Sequence, residues 1–127
     1  MKGKAMDWNF KTGIPIYTQI VDEITMRIAS GAYAPGAKLA SVRDLAMDAG
    51  VNPNTMQKAL AEIERRGLVY SERTSGRFVT KDEDILKGLH KELAEKYLGE
   101  FTEKLQKIGM DEKEIREFIK EAGNGKN

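Results

Sequence analysis

Four polar side chains near the middle of the chain have the types and spacing that hydrogen bonding to nucleic-acid bases requires. At helical spacing Asn54, Thr55, Gln57 and Lys58 share one outward face, and no acidic residue follows until Glu62. Asparagine and glutamine make paired hydrogen bonds to adenine, threonine contacts the thymine methyl group, and lysine bonds to guanine or phosphate. These four residues are therefore predicted to contact DNA. An ordinary solvated helix face is the competing interpretation.

Basic side chains lie on both sides of this polar face. Arg43 and Lys38 precede it in the chain, and Arg73 and Arg77 flank a turn that follows it. Such cations bond to the phosphates of a nucleic-acid backbone, so all four are predicted backbone contacts. Simpler interpretations stay open: a weak ion pair with a neighbouring aspartate for Arg43, and a merely solubilising turn for the other two arginines.

Other kinds of chemistry lack the residues that they need. The chain has no cysteine and one histidine, His90, so thiol catalysis, disulfides and His-rich metal sites are excluded within one subunit. It has no nucleophile motif, no glycine-rich phosphate loop and no signal peptide. No apolar run approaches the roughly 20 residues of a membrane span. We therefore expect a cytoplasmic protein that is not an enzyme, needs no cofactor or metal and binds no membrane.

The elements that would position the polar face form a helix-turn-helix. An apolar period predicts a first helix over about 15–30. Ser41, with an acid three residues later, begins a short helix that ends at Gly50. Asn52 is a good N-cap, and a helix carrying the polar face runs from there to Arg66. Two helices joined by a short turn that contains glycine are typical of helix-turn-helix motifs.

A β-hairpin is predicted directly after these helices. Residues 68–72 and 77–80 have strand character, and the turn between them spans residues 73–76. A hairpin at this place is a wing, whose exposed tip is basic. Residues 1–80 are therefore predicted to form a winged-helix DNA-binding domain, with an N-terminal arm over residues 1–14.

Residues 81–127 are predicted to form a helical dimerisation domain. A long helix from about residue 82 to Gly109 precedes a shorter one that begins at an Asp111–Glu114 capping box. Their apolar stripe is too wide for two helices to bury against each other. Either the stripe folds back on the N-terminal domain or a second subunit covers it, and we expect dimerisation because two-fold pairing doubles the DNA contact. The predicted dimer interface comprises Leu86, Leu89, Leu93, Tyr97, Phe101, Leu105, Ile115 and Phe118.

The fold class predicted from these elements is mainly α (α+β), a winged helix-turn-helix with a β-hairpin wing and a small two-helix C-terminal dimerisation module. Charge agrees with this division. Residues 1–80 hold 11 basic and 8 acidic side chains, a net charge of +3, whereas residues 81–127 hold 10 and 12, a net charge of −2. The excess of positive charge favours an anionic partner for the N-terminal part.

The N-terminal part resembles the GntR family of winged-helix regulators, and the short two-helix tail is similar to the YtrA-like subfamily. The resemblance rests on spaced residues over about 14–80, namely Ile14-Pro15-Ile16-Tyr17, Gln19-Ile20, Ile28, Ala29-Ser30-Gly31, Pro35-Gly36, Lys38-Leu39, Ser41-Val42-Arg43-Asp44-Leu45-Ala46, Gly50-Val51-Asn52-Pro53-Asn54-Thr55, Glu62, Gly67-Leu68-Val69 and Gly76-Arg77-Phe78-Val79. It implies a dimeric bacterial repressor of its own operon, which in this family often encodes a transporter.

Carried over by position, the family's DNA contacts fall on Arg43, Pro53, Asn54, Gln57 and the wing near Gly76. The N-cap residue Asn52 is placed in the same DNA surface. Three residues depart from the family pattern: Ala40 replaces a proline, Pro53 stands where arginine is often found, and Thr74 replaces the first wing glycine.

Two other functions compete with operator binding. In the first, the winged helix is a protein-docking module, which its exposed face disfavours because that face lacks acid or leucine. Alternatively, the protein could be a switch that responds to a small-molecule effector in a crevice between domains or subunits. The sequence names no such effector. Double-stranded DNA and a second copy of the chain are the predicted partners.

Overall fold

The computed structural model describes residues 8–125 of the chain. Its first helices are α1 (Ile16–Ser30), α2 (Val42–Ala49) and α3 (Pro53–Arg65), followed by strands β1 (Val69–Glu72) and β2 (Gly76–Val79) and helices α4 (Glu83–Lys107) and α5 (Glu112–Asn124). The order confirms the predicted winged helix-turn-helix with a C-terminal helical pair. Of the predicted arm over residues 1–14, residues 1–7 lie outside the described residues.

The hydrophobic core of the winged helix forms where α3 packs against α1, α2 and β1. Ile20 and Ile24 of α1 are fully buried, as are Met56 and Ile63 of α3. Their spacings of four and seven residues place them on one face of each helix. The opposite face of α3 therefore remains in solvent.

Capping residues define the start and the end of α2. The Ser41 Oγ accepts a hydrogen bond from the Asp44 backbone N–H at 3.0 Å, which starts α2. Gly50 ends that helix in the left-handed conformation, with φ of 71°, where a side chain would be strained. Ala40, the residue that replaces the family's proline, leaves this helix start intact.

The wing is a two-stranded antiparallel hairpin extended by a third segment. Val69 pairs with Val79 at its base, and Glu72 pairs with Gly76 at its tip. Backbone hydrogen bonds also join β2 to the segment before α2, with the Leu39 N–H donating to the Arg77 carbonyl at 2.9 Å. Gly76 has a φ of 114°, and every residue with a positive φ within residues 8–125 is a glycine. The wing tip therefore forms its turn with Thr74 at the position where the family has a glycine.

The described part of the arm is held against the helix-turn-helix. The Trp8 indole N–H donates to Asp48 of α2 at 3.0 Å, and the Arg27 guanidinium lies 4.2 Å from the centre of the indole ring. Arg27 is 4% exposed and pairs with Glu23 at 2.9 Å. Aromatic stacking and ion pairing together offset the cost of burying this cation.

The chain divides into two compact units, with the boundary after Lys87 inside α4. In the second unit, the Asp111 side chain accepts from the Glu114 N–H, and the Glu114 side chain accepts from the Asp111 N–H, at 2.8 and 2.9 Å. This is the predicted capping box. Phe101 of α4 and Phe118 of α5 lie with their ring centres 6.3 Å apart. Within residues 8–125, no helix is long and apolar enough to cross a membrane.

Candidate nucleic-acid interface

The exposed face of α3 carries three of the predicted base-reading side chains. Asn54, Gln57 and Lys58 are exposed, while Met56 and Ala59 between them point into the core. No hydrogen bond or ion pair to another residue of 8–125 occupies any of these three side chains. Their donors and acceptors are therefore available to base edges and phosphates.

Thr55 lies at the edge of this face and is half-buried. It lines a groove between α1 and α3 together with Tyr17, Lys58, Glu62 and Arg65. The position leaves the threonine less exposed than Asn54. Its hydroxyl and methyl groups open onto the groove side of the face.

The start of α3 uses part of its polar chemistry for capping. The Asn52 Oδ1 accepts from the Asn54 N–H at 2.7 Å, so this oxygen is already occupied. Pro53 at the first helical position has no N–H to donate. Asn52 thus has its amide nitrogen to offer a partner, and Pro53 has only its apolar ring.

Three basic side chains surround the face without ion-pair partners. Lys38, Arg43 and Arg73 are exposed, and within the described part of the chain none forms a salt bridge. The ion pair with a neighbouring aspartate that competes with DNA contact for Arg43 is not formed within residues 8–125, and Asp48 instead accepts the Trp8 indole N–H. Lys38 and Arg73 line a groove between the start of α2 and the wing. Its charge and polar lining suit a phosphate backbone.

Arg77 differs from these because it already has a carboxylate partner. Its Nε donates to the Glu64 Oε1 at 3.3 Å, and the Ser71 Oγ donates to the same oxygen at 3.0 Å. Gly76, beside it, closely approaches Lys38: a Cβ at Gly76 would lie 3.2 Å from the Lys38 Cε. Glu64 is not predicted from the sequence, because no local spacing pairs residues 13 positions apart.

The far end of α3 is occupied by a charge cluster. The Glu62 carboxylate accepts hydrogen bonds from Arg65 at 2.6 and 2.8 Å, and from Arg66 at 2.8 Å. The hydrogen bonds from Arg65 and then Arg66 lower the pKa of Glu62 from 4.5 to about 2. Hydrogen bonding to Glu62 also raises the pKa of Arg65. Intrahelical spacing of three and four residues is the sequence signal for this cluster.

The predicted dimer residues fall into three groups by burial. Leu89 and Ile115 are buried within one chain, and Leu86, Leu93 and Leu105 are intermediate. Three aromatic residues remain exposed, and these are Tyr97 at 43%, Phe101 at 39% and Phe118 at 47%. The structure adds Leu98 and Ile119 to this exposed apolar set. Single chains rarely leave so many large apolar side chains in water without a use.

Between residues 8 and 125, no group of three or more His, Asp or Glu side chains could hold a metal ion. The interface is thus a cationic, amide-bearing surface.

Comparison with known proteins shows which family the chain resembles. The model of the family described as "Bacterial regulatory proteins, gntR family" matches residues 16–79. The HTH-type transcriptional regulator YhcF of Bacillus subtilis is 37% identical over 115 residues, which are 91% of this chain and 95% of that protein. The HTH-type transcriptional repressor YtrA of the same organism is 31% identical over 118 residues, 87% of this chain and 86% of that protein.

A solved complex resembles the N-terminal part. The DNA-binding domain of AraR, in a crystal structure with operator ORX1, superimposes with a TM-score of 0.55 at 28% identity. The match covers 61% of this chain and all of that one. A chain of this fold is therefore seen on operator DNA.

Proposed function

Since the chain belongs to the GntR family of bacterial regulatory proteins, we propose that it is a homodimeric transcriptional repressor that binds an inverted-repeat operator. The likeness to YhcF and YtrA places it with the YtrA-like regulators. This family consists of regulators and not enzymes. The proposal specifies how the chain would regulate: by occupying DNA as a dimer and blocking transcription.

One observation carries the proposal, namely the free polar face of α3. Asn54, Gln57 and Lys58 project from a helix whose other side is buried in the core. In helix-turn-helix proteins the second helix lies in the major groove and reads base edges. We assign base reading to Asn54 and Gln57 and backbone or base-edge contacts to Thr55 and Lys58. Neighbouring Asn52 and Pro53 complete the helix start against the DNA.

Phosphate contacts are assigned to the basic side chains around this face. Lys38, Arg43 and Arg73 have no competing ion pair within residues 8–125, so binding phosphate would break no bond that the fold supplies. Arg77 and the backbone at Gly76 extend the contact along the wing. Each neutralised phosphate releases counterions and adds to the salt dependence of binding.

Protein docking is less well supported than DNA binding. Docking helices present large apolar anchors at helical spacing. Within the described residues, no large apolar side chain of α3 is exposed. The face instead offers amides and a lysine, which are the side chains that bases and phosphates select.

The dimer is proposed from the exposed apolar residues of α4 and α5. A second copy of the chain would cover Tyr97, Phe101 and Phe118, which water otherwise contacts. Two-fold pairing presents two recognition helices to two half-sites, so the operator should be an inverted repeat. We further propose that the regulated operon is the protein's own and encodes a transporter, as the likeness to YtrA-type regulators suggests.

Fluorescence anisotropy on the DNA upstream of the protein's own gene tests the proposal. The upstream fragment should bind more tightly than a scrambled fragment of equal length, and should saturate at two chains per site. Repeating the titration at several salt concentrations separates specific contacts from plain charge attraction. Equal, weak binding to both fragments that disappears in modest salt would refute direct operator recognition by the free protein.

A pair of lysine variants controls for charge. Lys58→Ala removes a cation from the α3 face, whereas Lys113→Ala removes one from α5. Both variants lose one positive charge, yet only Lys58→Ala should weaken operator binding. Equal losses would show that net charge, and not the α3 face, governs the affinity.

A further inference from the structure

A single carboxylate connects the recognition helix to both strands of the wing. The Glu64 Oε1 accepts from the Ser71 Oγ of β1 at 3.0 Å and from the Arg77 Nε of β2 at 3.3 Å. Ser71 and Arg77 are directly paired across the hairpin, so one oxygen holds a cross-strand pair. Glu64 is therefore placed to fix the angle between α3 and the hairpin.

The same bond determines how Arg77 presents its guanidinium. Glu64 uses the Nε, while no residue of 8–125 bonds to either Nη nitrogen. The Arg77 side chain is 21% exposed, so its freedom is already limited. A planar guanidinium fixed at the Nε still has its Nη edge for bonding to a phosphate.

Two effects of Glu64 on DNA binding have opposite signs. As a negative charge near the DNA surface, it should repel phosphate, and its removal should strengthen binding. As a bond that orients Arg77 and the wing, it should strengthen binding, and its removal should weaken it. An ordered arginine loses less conformational freedom when it binds, which favours the second effect.

We propose that Glu64 is a positioning residue of the DNA interface, which sets the wing against α3 and aims the Arg77 Nη edge at a backbone phosphate. The inference rests on the proposed operator binding. Glu64, although acidic, would then favour the binding of DNA, because it orients the arginine that contacts the phosphate.

The test compares Glu64→Ala with Glu72→Ala on the upstream fragment. Both substitutions remove one negative charge from the same region, but Glu72 is exposed at the wing tip and forms no side-chain bond to another residue of 8–125. Glu64→Ala should weaken operator affinity by about three- to tenfold, as expected for loss of one ordering hydrogen bond. Glu72→Ala should leave the affinity unchanged or raise it. Glu64→Ala binding as tightly as Glu72→Ala, or more tightly, would overturn the proposal.

A double-mutant cycle with Arg77→Ala tests whether Glu64 affects operator affinity through Arg77. If Glu64 acts through Arg77, then Glu64→Ala should cause little further loss once Arg77 is alanine. Glu64→Gln, whose amide oxygen can still accept both bonds, should recover most of the affinity. Additive losses in the cycle, or no recovery with glutamine, would contradict positioning.

Folding is checked by thermal unfolding of each variant. Should Glu64→Ala fail to fold, Arg77→Lys replaces it, because lysine keeps the charge but lacks the Nε and the planar fork. If Arg77→Lys binds the operator as weakly as Arg77→Ala does, orientation of the guanidinium by Glu64 is supported. If Arg77→Lys binds as tightly as wild type, the proposal is overturned. If the wild-type protein shows no preference for the upstream fragment, the proposed function itself fails, whatever the variants do.

Discussion

At the scale of single residues, the strongest candidates for reading sequence are the amides of α3. Gln57 is exposed and forms no side-chain hydrogen bond to another residue of 8–125, so its substitution should not disturb the fold. Asn52 is different, since its side-chain oxygen caps the helix. Substitution of Gln57 should therefore affect DNA binding alone, whereas substitution of Asn52 should also affect stability.

Replacing Gln57 by alanine should cost about 1–3 kcal/mol of operator binding and relax the preference at one base step, as for a side chain that bonds to a base edge. Anisotropy titrations on operator variants measure both effects. Gln106→Ala, which removes the same side-chain type from α4, should change neither. Unchanged affinity and preference in Gln57→Ala would disprove the base-reading role.

The pairing of Glu62 should make stability depend on pH. Hydrogen bonds from Arg65 and Arg66 lower its pKa from 4.5 to about 2, so the folded state favours the ionised carboxylate. The resulting stability is present above pH 4.5 and is lost as pH falls toward about 2. The difference in unfolding free energy between wild type and Glu62→Gln should shrink over that window. In a background with Arg65 and Arg66 both alanine, the pH dependence should disappear, and its persistence there would rule out this pairing as the cause.

At the scale of elements, the placement of α3 depends on its N-cap and on its packing partners. α3 starts at Pro53, behind the Asn52 cap, and packs against α1, α2 and β1. Its position therefore depends on the turn before it and on the hairpin after it. Both flanks carry residues that we assign to DNA contact, so local stability and binding are coupled here.

Asn52→Ala should destabilise the fold by about 1 kcal/mol through loss of the helix N-cap, measured by urea unfolding. Asn52→Asp keeps an oxygen acceptor and should retain stability. It also adds a negative charge at the helix start that we propose to face DNA, so it should bind the operator more weakly than wild type. If Asn52→Asp binds as wild type does, Asn52 does not lie near the DNA.

At the scale of the whole molecule, charge and apolar surface are distributed unequally. Residues 1–80 carry a net charge of +3 and residues 81–127 a net charge of −2. The exposed aromatic side chains of α4 and α5 lie in the acidic part. This distribution supports one part that binds DNA and one that pairs with a second copy.

Phe118→Glu should shift the protein from dimer to monomer, because it would bury a charge in the proposed interface. Sedimentation equilibrium at several concentrations measures the shift, and operator affinity should fall with it. Met26→Glu is the matched control, since Met26 of α1 is 41% exposed and Phe118 is 47% exposed. A Phe118→Glu protein that remains dimeric would place the interface elsewhere.

Most of the secondary structure of this protein can be predicted from local sequence signals. Periodicity and capping residues predict each helix that the structure shows within residues 8–125, and the hairpin follows from its turn residues and strand character. These predictions succeed because a cap, a helical period or a turn involves residues within a few positions of one another. The exposed face of α3 follows in the same way once Met56 and Leu60 are assigned to the core.

Only the tertiary structure decided the contacts between distant residues. It pairs Glu64 with Arg77, joins Trp8 to Asp48, and leaves Arg43 without an ion pair within residues 8–125. It also shows that Ile115 is buried within one chain, although sequence assigned it to a dimer interface. Partners 13 or 40 positions apart meet only through packing, and no local pattern specifies which of several charges or apolar residues will meet.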